Sequence, residues 1–234
     1  MIKVQHICKR FGNFEVLKDV DLAFKPGTCV ALIGPNGSGK TTLLKSILQM
    51  VQVDKGDIFF MGESVLGHWD YRRFIGFMPQ MTRYPENMTI GEVMDMMIDM
   101  REHVPELDEE LIKSFHIKEL YHKRMGTLSG GTRQKVGACL AFLFSPYVLI
   151  LDEPTAGLDP LSAEILKQKI SKERANGKLI IISSHVLSEL DELASEVVYM
   201  QEGSISFQKS IEDLKSETHE LKLSKILEKK FRAI

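Results

Sequence analysis

A chain of 234 residues has room for one large domain or two small ones, and an apolar fraction of 44% is ample for a packed core. The net charge of -2 is close to neutral; a nucleic-acid binder would usually carry a strongly basic patch or domain, so nucleic acid is not an expected partner. The three cysteines, Cys8, Cys29 and Cys139, are odd in number, far apart and without metal-site spacing, and read as reduced core thiols of a cytosolic protein.

The opening MIKVQHICKRFG has neither a long apolar core nor a small-residue cleavage site, and no signal peptide is expected. Residues 2–8 read as a strand from Ile2, Val4 and Ile7, and 16–24 as another from Val16, Leu17, Val20, Leu22 and Phe24, before a turn at Pro26-Gly27. The run TCVALI at 28–33 has the pattern of a short buried strand, and a Gly-rich loop and a helix at about 40–50 follow it. Strand-like runs recur at 57–61, 74–78, 147–151, 178–183 and 196–200, with helices at about 160–175 and 187–194 between the later ones. Several of these runs are continuously apolar, as in strands covered on both faces. The alternation predicts an α/β core with a mostly parallel sheet.

Between about 89 and 145 the stretches TIGEVMDMMIDM, ELDEELIKSFHIKELY and GGTRQKVGACLAFLF are all helix-like, which predicts a helical subdomain inserted into that core. The Lys/Glu-rich stretch 210–234 places Leu223, Ile226, Leu227 and Phe231 at roughly helical spacing, and reads as a solvated helix. Its Lys222, Lys225, Lys229, Lys230 and Arg232 could also touch anionic lipid. No apolar run approaches the roughly 18 to 20 residues that cross a bilayer, so service to a membrane would need a partner.

Chemistry first becomes legible at Gly34-Pro35-Asn36-Gly37-Ser38-Gly39-Lys40-Thr41, a complete P-loop pattern between an apolar strand and a helix. Its glycines let the backbone curl so that N–H groups cradle phosphate oxygens, and the helix start adds its dipole. Lys40 brings positive charge to the β- and γ-phosphates, Thr41 a hydroxyl for Mg²⁺, and Thr42 a second hydroxyl beside the phosphates. A Gly-rich turn that merely capped a structural helix would not explain Lys-Thr in register after a strand. A second apolar run, Val148-Leu149-Ile150-Leu151, delivers Asp152 and Glu153 at its carboxyl end, where ligands of open α/β sheets bind. Asp152 would hold Mg²⁺ directly or through water, and Glu153 would orient or deprotonate the attacking water.

A P-loop alone could belong to a kinase, a GTPase, a helicase or a transporter. The discriminating stretch is Leu128-Ser129-Gly130-Gly131-Thr132-Arg133-Gln134, a serine cap and two glycines opening a helix, which makes a second anion site. Two chains packed head to tail about a two-fold axis would set Ser129 of one against the nucleotide of the other.

Over nearly its whole length the sequence resembles the ATP-binding subunit of an ABC transporter. GPNGSGKTT and LSGGTRQ carry the resemblance. So do Gln80 in Phe77-Met78-Pro79-Gln80, the stretch Ala156-Gly157-Leu158-Asp159, and His185 after Ile182-Ser183-Ser184. The resemblance implies a P-loop cassette with a mostly parallel core sheet, an antiparallel β portion and the inserted helices. The ATPase domain would span 1–217, as a core of 1–88 and 146–217 with a helical subdomain of 89–145, followed by a tail of 218–234. It implies ATP bound by Gly34, Asn36, Gly37, Ser38, Gly39, Lys40, Thr41 and Thr42, with Phe11 stacked on the adenine. Mg²⁺ would be held by Thr41, Gln80 and Asp152, and catalysis carried by Glu153, His185 and Gln80. Ser129, Gly130 and Gly131 would reach the ATP of a second copy in a nucleotide-sandwich dimer. The partner would be a membrane-spanning permease on a separate chain, with the cassette cytoplasmic on the inner face of the cell membrane. Two departures stand out: Thr132 occupies the usual glutamine position of the signature, and Phe11 replaces the more usual tyrosine.

Within that family, the stretch from Thr82 to Gly91, LSGGTRQKV and VLILDEPTAGLDP most resemble the cassette that helps mature nitrous oxide reductase at its copper centre; a general drug or lipid exporter is the rival. ABC-type ATPases that act on nucleic acid or ribosomes usually carry two cassettes or a coiled-coil insertion, and this chain has one uninterrupted cassette. The run Met78, Met81, Met88, Met94, Met96, Met97 and Met100 reads as an adaptable apolar surface rather than a Cu(I) site. His6, His68, His103, His116, His122 and His219 have no metal-like spacing and read as surface or core residues.

Overall fold

Alternating apolar residues pull the first two strands together. The computed structural model describes residues 1–81, 83–101 and 106–232, apart from the side chains of Phe231 and Arg232; Thr82, His103 and the last two residues of the expected tail lie outside it. Strand β1 (Ile2–Phe11) buries Ile2, Val4 and Ile7, and β2 (Phe14–Phe24) buries Leu17, Val20, Leu22 and Phe24. Both are longer than the apolar pattern implies, because the antiparallel ladder continues through exposed residues to Phe11 opposite Phe14. Next come β3 (Cys29–Ile33), α1 (Lys40–Ile47), β4 (Lys55–Phe60) and β5 (Glu63–Ser64). The chain then runs through β6 (Ile75–Met78), α2 (Ile90–Asp99), α3 (Glu110–Ser114), α4 (Gly130–Phe142), β7 (Val148–Asp152) and α5 (Pro160–Ala175). It closes with β8 (Leu179–Ser183), α6 (Leu187–Leu193), β9 (Glu196–Gln201), β10 (Ser204–Ser210), α7 (Ile211–Thr218) and α8 (Leu223–Arg232). This is the expected α/β architecture, and among the described residues no helix is long and apolar enough to cross a membrane.

Two compact units divide the chain: Met1–Arg72 with Leu179–Ile234, and Arg73–Lys178. The first unit contains an antiparallel sheet in the order β2-β1-β4-β5 and, separately, the run β10-β9-β3-β8. There β3 pairs in parallel with both β8 and β9, and β10 adds antiparallel to β9. All five residues of β3 and all five of β8 are buried, which is why both read as unbroken apolar runs. β10 escaped the sequence reading because its residues are mostly half-buried and show no clean alternation.

The solvated reading of the chain's end is corrected here. α7 starts on a Ser210 cap, whose hydroxyl accepts from the Asp213 N–H at 3.0 Å. α8 packs against α6 and α7, burying Leu223, Ile226 and Leu227. The Leu223 N–H donates to Asp191 Oδ1 on α6 at 2.6 Å, and the Lys229 ammonium to the Thr218 carbonyl at 2.7 Å. Lysines on the outer side of an amphipathic helix gave the stretch its polar composition; the apolar side is core.

In the second unit β6 and β7 pair in parallel. α2 opens on a capping box in which Thr89 and Glu92 exchange hydrogen bonds. ELDEELIKSFHIKELY is not one helix. α3 is only five residues long, His116 takes a left-handed φ of 53°, and a 3₁₀ turn follows at Ile117–Leu120. Lys169 on α5 is buried, and its ammonium meets Asp108 at 2.5 Å and Glu110 and Glu173 at 2.8 Å. Burial alone would lower its pKa; hydrogen bonds to the three carboxylates outweigh that and raise it, so α5 is tied to the start of α3 by a charged lysine. Burial pushes the Cys139 thiol up, and Cys29 and Cys139 are core thiols as expected, while Cys8 is half-buried.

A packed α8 makes a measurable demand. Ile226→Ala should cost about 2–4 kcal/mol by urea unfolding, as for other buried truncations. A change within about 0.5 kcal/mol, typical of surface positions, would return α8 to the solvent.

Candidate active site

In the first unit, two parallel strands carry the phosphate loop and His185. Leu32 of β3 lies opposite Ser183 of β8, so both strands end at the same edge. Beyond β3 comes the phosphate loop, and two residues beyond β8 comes His185, which is exposed. The loop starts against β9 so tightly that a Cβ on Gly34 would stand 2.0 Å from the Met200 carbonyl oxygen. Asn36 and Gly37 face outward, the Ser38 N–H donates to the Pro35 carbonyl at 3.2 Å, and Gly39, at a φ of 103°, turns the chain into α1. The Lys40 ammonium donates to the carbonyls of Gly34 at 2.8 Å and Pro35 at 3.0 Å, folding back over the loop that it serves. Thr41 is exposed and Thr42 half-buried on the first turn of α1. The Ser38 hydroxyl is buried with no hydrogen-bond partner among the described residues, as a phosphate-binding loop would leave it. Phe11 ends β1 with its ring 52% exposed and the Lys9 ammonium 5.4 Å from its centroid.

The second unit repeats the device. Met78 of β6 lies opposite Leu151 of β7, so Gln80, two residues on, leaves from the edge at which Asp152 and Glu153 end β7. Asp152 is buried as the last residue of the strand, and Glu153 follows it in a left-handed conformation, φ 52°. The signature helix α4 opens on Ser129, whose hydroxyl accepts from the Thr132 N–H at 3.2 Å. The Thr132 hydroxyl lies 2.9 Å from that of Ser129, so the departure from the usual glutamine is spent on a local hydrogen bond. Ser129 and Gly130 are exposed.

Sequence reasoning passed over three features. The amide of Gln134, on α4, donates to the carbonyls of Glu153 and Pro154. The Lys135 ammonium meets Asp159, the cap of α5, at 2.8 Å, and that hydrogen bond with the one from Ser162 holds the Asp159 carboxyl well below the usual carboxylate range. On the surface of the first unit, register shifts between β1 and β2 bring His6 within 2.9 Å of Asp19 and 3.0 Å of Asp21, which raises the pKa of the histidine, chiefly through its hydrogen bond to Asp19. Local spacing carries no signal for any of these; only the fold brings the partners together.

The candidate metal ligands Thr41, Gln80 and Asp152 offer hydroxyl, amide and carboxylate oxygens, the hard donors that suit Mg²⁺. The methionine run does not form one soft-metal cluster: Met78 and Met94 are core, while Met81 and Met100 are 64% and 73% exposed.

A phosphate loop between β3 and α1, with two acids closing β7, defines a nucleotide-binding P-loop ATPase. A family model described as "ABC transporter" matches residues 17–156. An uncharacterized ABC transporter ATP-binding protein of Bacillus subtilis (strain 168), YxlF, is 32% identical over 222 residues, 93% of this chain and 73% of that protein. A solved ATP-binding subunit of an ABC transporter superposes with a TM-score of 0.86 at 26% identity, covering 98% of each chain. A bacterial ABC transporter cassette solved as a dimer gives 0.79 at 23% identity, covering 90% of this chain and 99% of that one, a likeness of fold. The chain belongs to the ABC transporter family, as an ATP-binding cassette. Members of that family bind ATP, normally with Mg²⁺, and hydrolyse it. The finer resemblance to the nitrous oxide reductase maturation type finds no support in these comparisons.

The two signature glycines should behave differently. A Cβ on Gly130 would meet nothing within 4 Å, while one on Gly131 would stand 2.7 Å from the Gly157 carbonyl oxygen. Gly130→Ala should leave the free energy of urea unfolding within about 0.5 kcal/mol of wild type. Gly131→Ala should cost about 1–3 kcal/mol, as overpacking does. Equal effects would show that the helix start is not pressed against the Gly157 segment.

Proposed function

We propose that this chain hydrolyses ATP to ADP and phosphate and that the cycle drives a membrane-spanning permease on a separate chain. The observation that carries the reading is the end of β7, where two adjacent acids sit in different settings: Asp152 buried in the last strand position, Glu153 beyond it in a left-handed backbone.

Lys40 turns from the Gly34 and Pro35 carbonyls to the β- and γ-phosphates, and the N–H groups of Asn36, Gly37, Ser38 and Gly39 close round them. Thr42 adds a hydroxyl, and Phe11 stacks on the adenine. Thr41, Asp152 and Gln80 are the ligands for Mg²⁺, which when bound neutralises charge on the phosphate oxygens. Glu153 orients the attacking water and takes its proton, while His185 steadies the γ-phosphate. Ser129, Gly130 and Gly131 reach the ATP of a second copy packed head to tail, so two ATP molecules lie in the seam and hydrolysis reopens it. The cassette works in the cytoplasm against the inner face of the cell membrane. Its ATPase domain spans 1–217, as a core of 1–88 and 146–217 with a helical subdomain of 89–145, and the permease chooses the substrate.

Glu153→Gln separates the water from the metal. Hydrolysis should fall about 10²- to 10⁴-fold, the usual worth of a positioned general base, while ATP still binds. The variant should then run as an ATP-bound dimer on gel filtration where wild type runs as a monomer. Lys40→Ala should instead lose ATP binding along with turnover, by roughly 3 kcal/mol or more. Turnover near wild type in Glu153→Gln would sink the assignment of the base.

A further inference from the structure

A glutamate at φ 52° lies outside the backbone region that non-glycine residues prefer, and the surrounding chain must hold it there. Ala156 supplies part of the hold, its N–H donating to the Glu153 carbonyl at 3.1 Å. A further part comes from α4. Gln134 is only 5% exposed, and its amide nitrogen lies 3.3 Å from the Glu153 carbonyl oxygen and 3.4 Å from that of Pro154. Both neighbours are acceptors, so the NH₂ group of the side chain is the end that faces them.

Two further contacts flank this one along the same helix. Upstream, Gly131 is pressed against the Gly157 carbonyl. Downstream, Lys135 is paired with Asp159 at 2.8 Å. Residues 131, 134 and 135 fall on one side of a helix, at three- and four-residue spacing. Together they fasten the first turns of α4 along the whole segment from Glu153 to Asp159. Of the three, only Gln134 touches the backbone of the acid itself.

We propose that Gln134 is a positioning residue for Glu153: it fixes the direction of that carboxylate by holding the carbonyl behind it, and so makes the signature helix a support of its own chain's base. The inference rests on Glu153 being the base. Losing the amide takes one donor from each of the two carbonyls, leaving Ala156 to hold that of Glu153, and lets the peptide between Glu153 and Pro154 turn. The carboxylate then swings, and misplacement of a reacting group by about 1 Å can cost 10²-fold in rate. The residues of the phosphate loop are unchanged, so ATP binding is spared.

The test is a kinetic cycle on the full chain. Gln134→Met keeps the volume and removes the donor. It should lower kcat about 10- to 100-fold with KM for ATP within about twofold. In the Glu153→Gln background the same change should lower the residual rate by less than about twofold, because residues acting through one group are not additive. A single variant with kcat within about twofold of wild type, or a loss that multiplies in full on Glu153→Gln, overturns the proposal alone. Near-wild-type turnover by Glu153→Gln itself overturns the base assignment and this proposal with it. If Gln134→Met does not fold, Gln134→Glu decides the matter, since its carboxyl donates only when protonated. Its kcat relative to wild type should fall as pH rises, and parallel pH profiles would contradict the proposal.

Discussion

Parallel pairing sends neighbouring strands out of a sheet at the same edge, and the chemistry of both units depends on that. Leu32 opposite Ser183 brings the phosphate loop and His185 out together; Met78 opposite Leu151 does the same for Gln80 and the two acids. An antiparallel neighbour would have carried each second group to the far end of its strand, 15 Å or so away for five residues at about 3.3 Å each. Burial of the strands on both faces then leaves their carboxyl ends as the place where polar side chains can meet a ligand.

Strand ends explain what was legible in the sequence. The phosphate loop, the acids after VLIL and the serine-glycine helix start are local patterns, each complete within about nine residues, and the α/β alternation around them follows from unbroken apolar runs. What stayed hidden depends on distant partners. β10 is half-buried and, among the described residues, pairs only with β9; α8 reads as solvated because it carries as many lysines, three, as side chains that it buries. The break at His116 is a left-handed residue inside a helical pattern, which periodicity does not register. Gln134 reads in the sequence as one more signature residue; only the fold sets its amide on the carbonyls of Glu153 and Pro154.

The chain has one phosphate loop and two helix starts suited to an anion. α1 starts directly after the loop and serves it. α4 starts at Ser129, exposed, with its cap satisfied by Thr132 and its glycines bare of side chains. On the proposed reading, this second start meets the phosphate of another copy packed head to tail. Thr132, hydrogen-bonded to Ser129, keeps that start in shape where the usual glutamine would reach outward. The central claim is therefore that ATP is hydrolysed in a site that two copies complete.

The specific rate of ATP hydrolysis, followed as purified chain is diluted through the range in which sedimentation shows dimers giving way to monomers, tests that claim most directly. The account predicts that the rate per chain falls with dilution in step with the loss of dimer. A rate per chain that stays constant down to fully monomeric protein would contradict it.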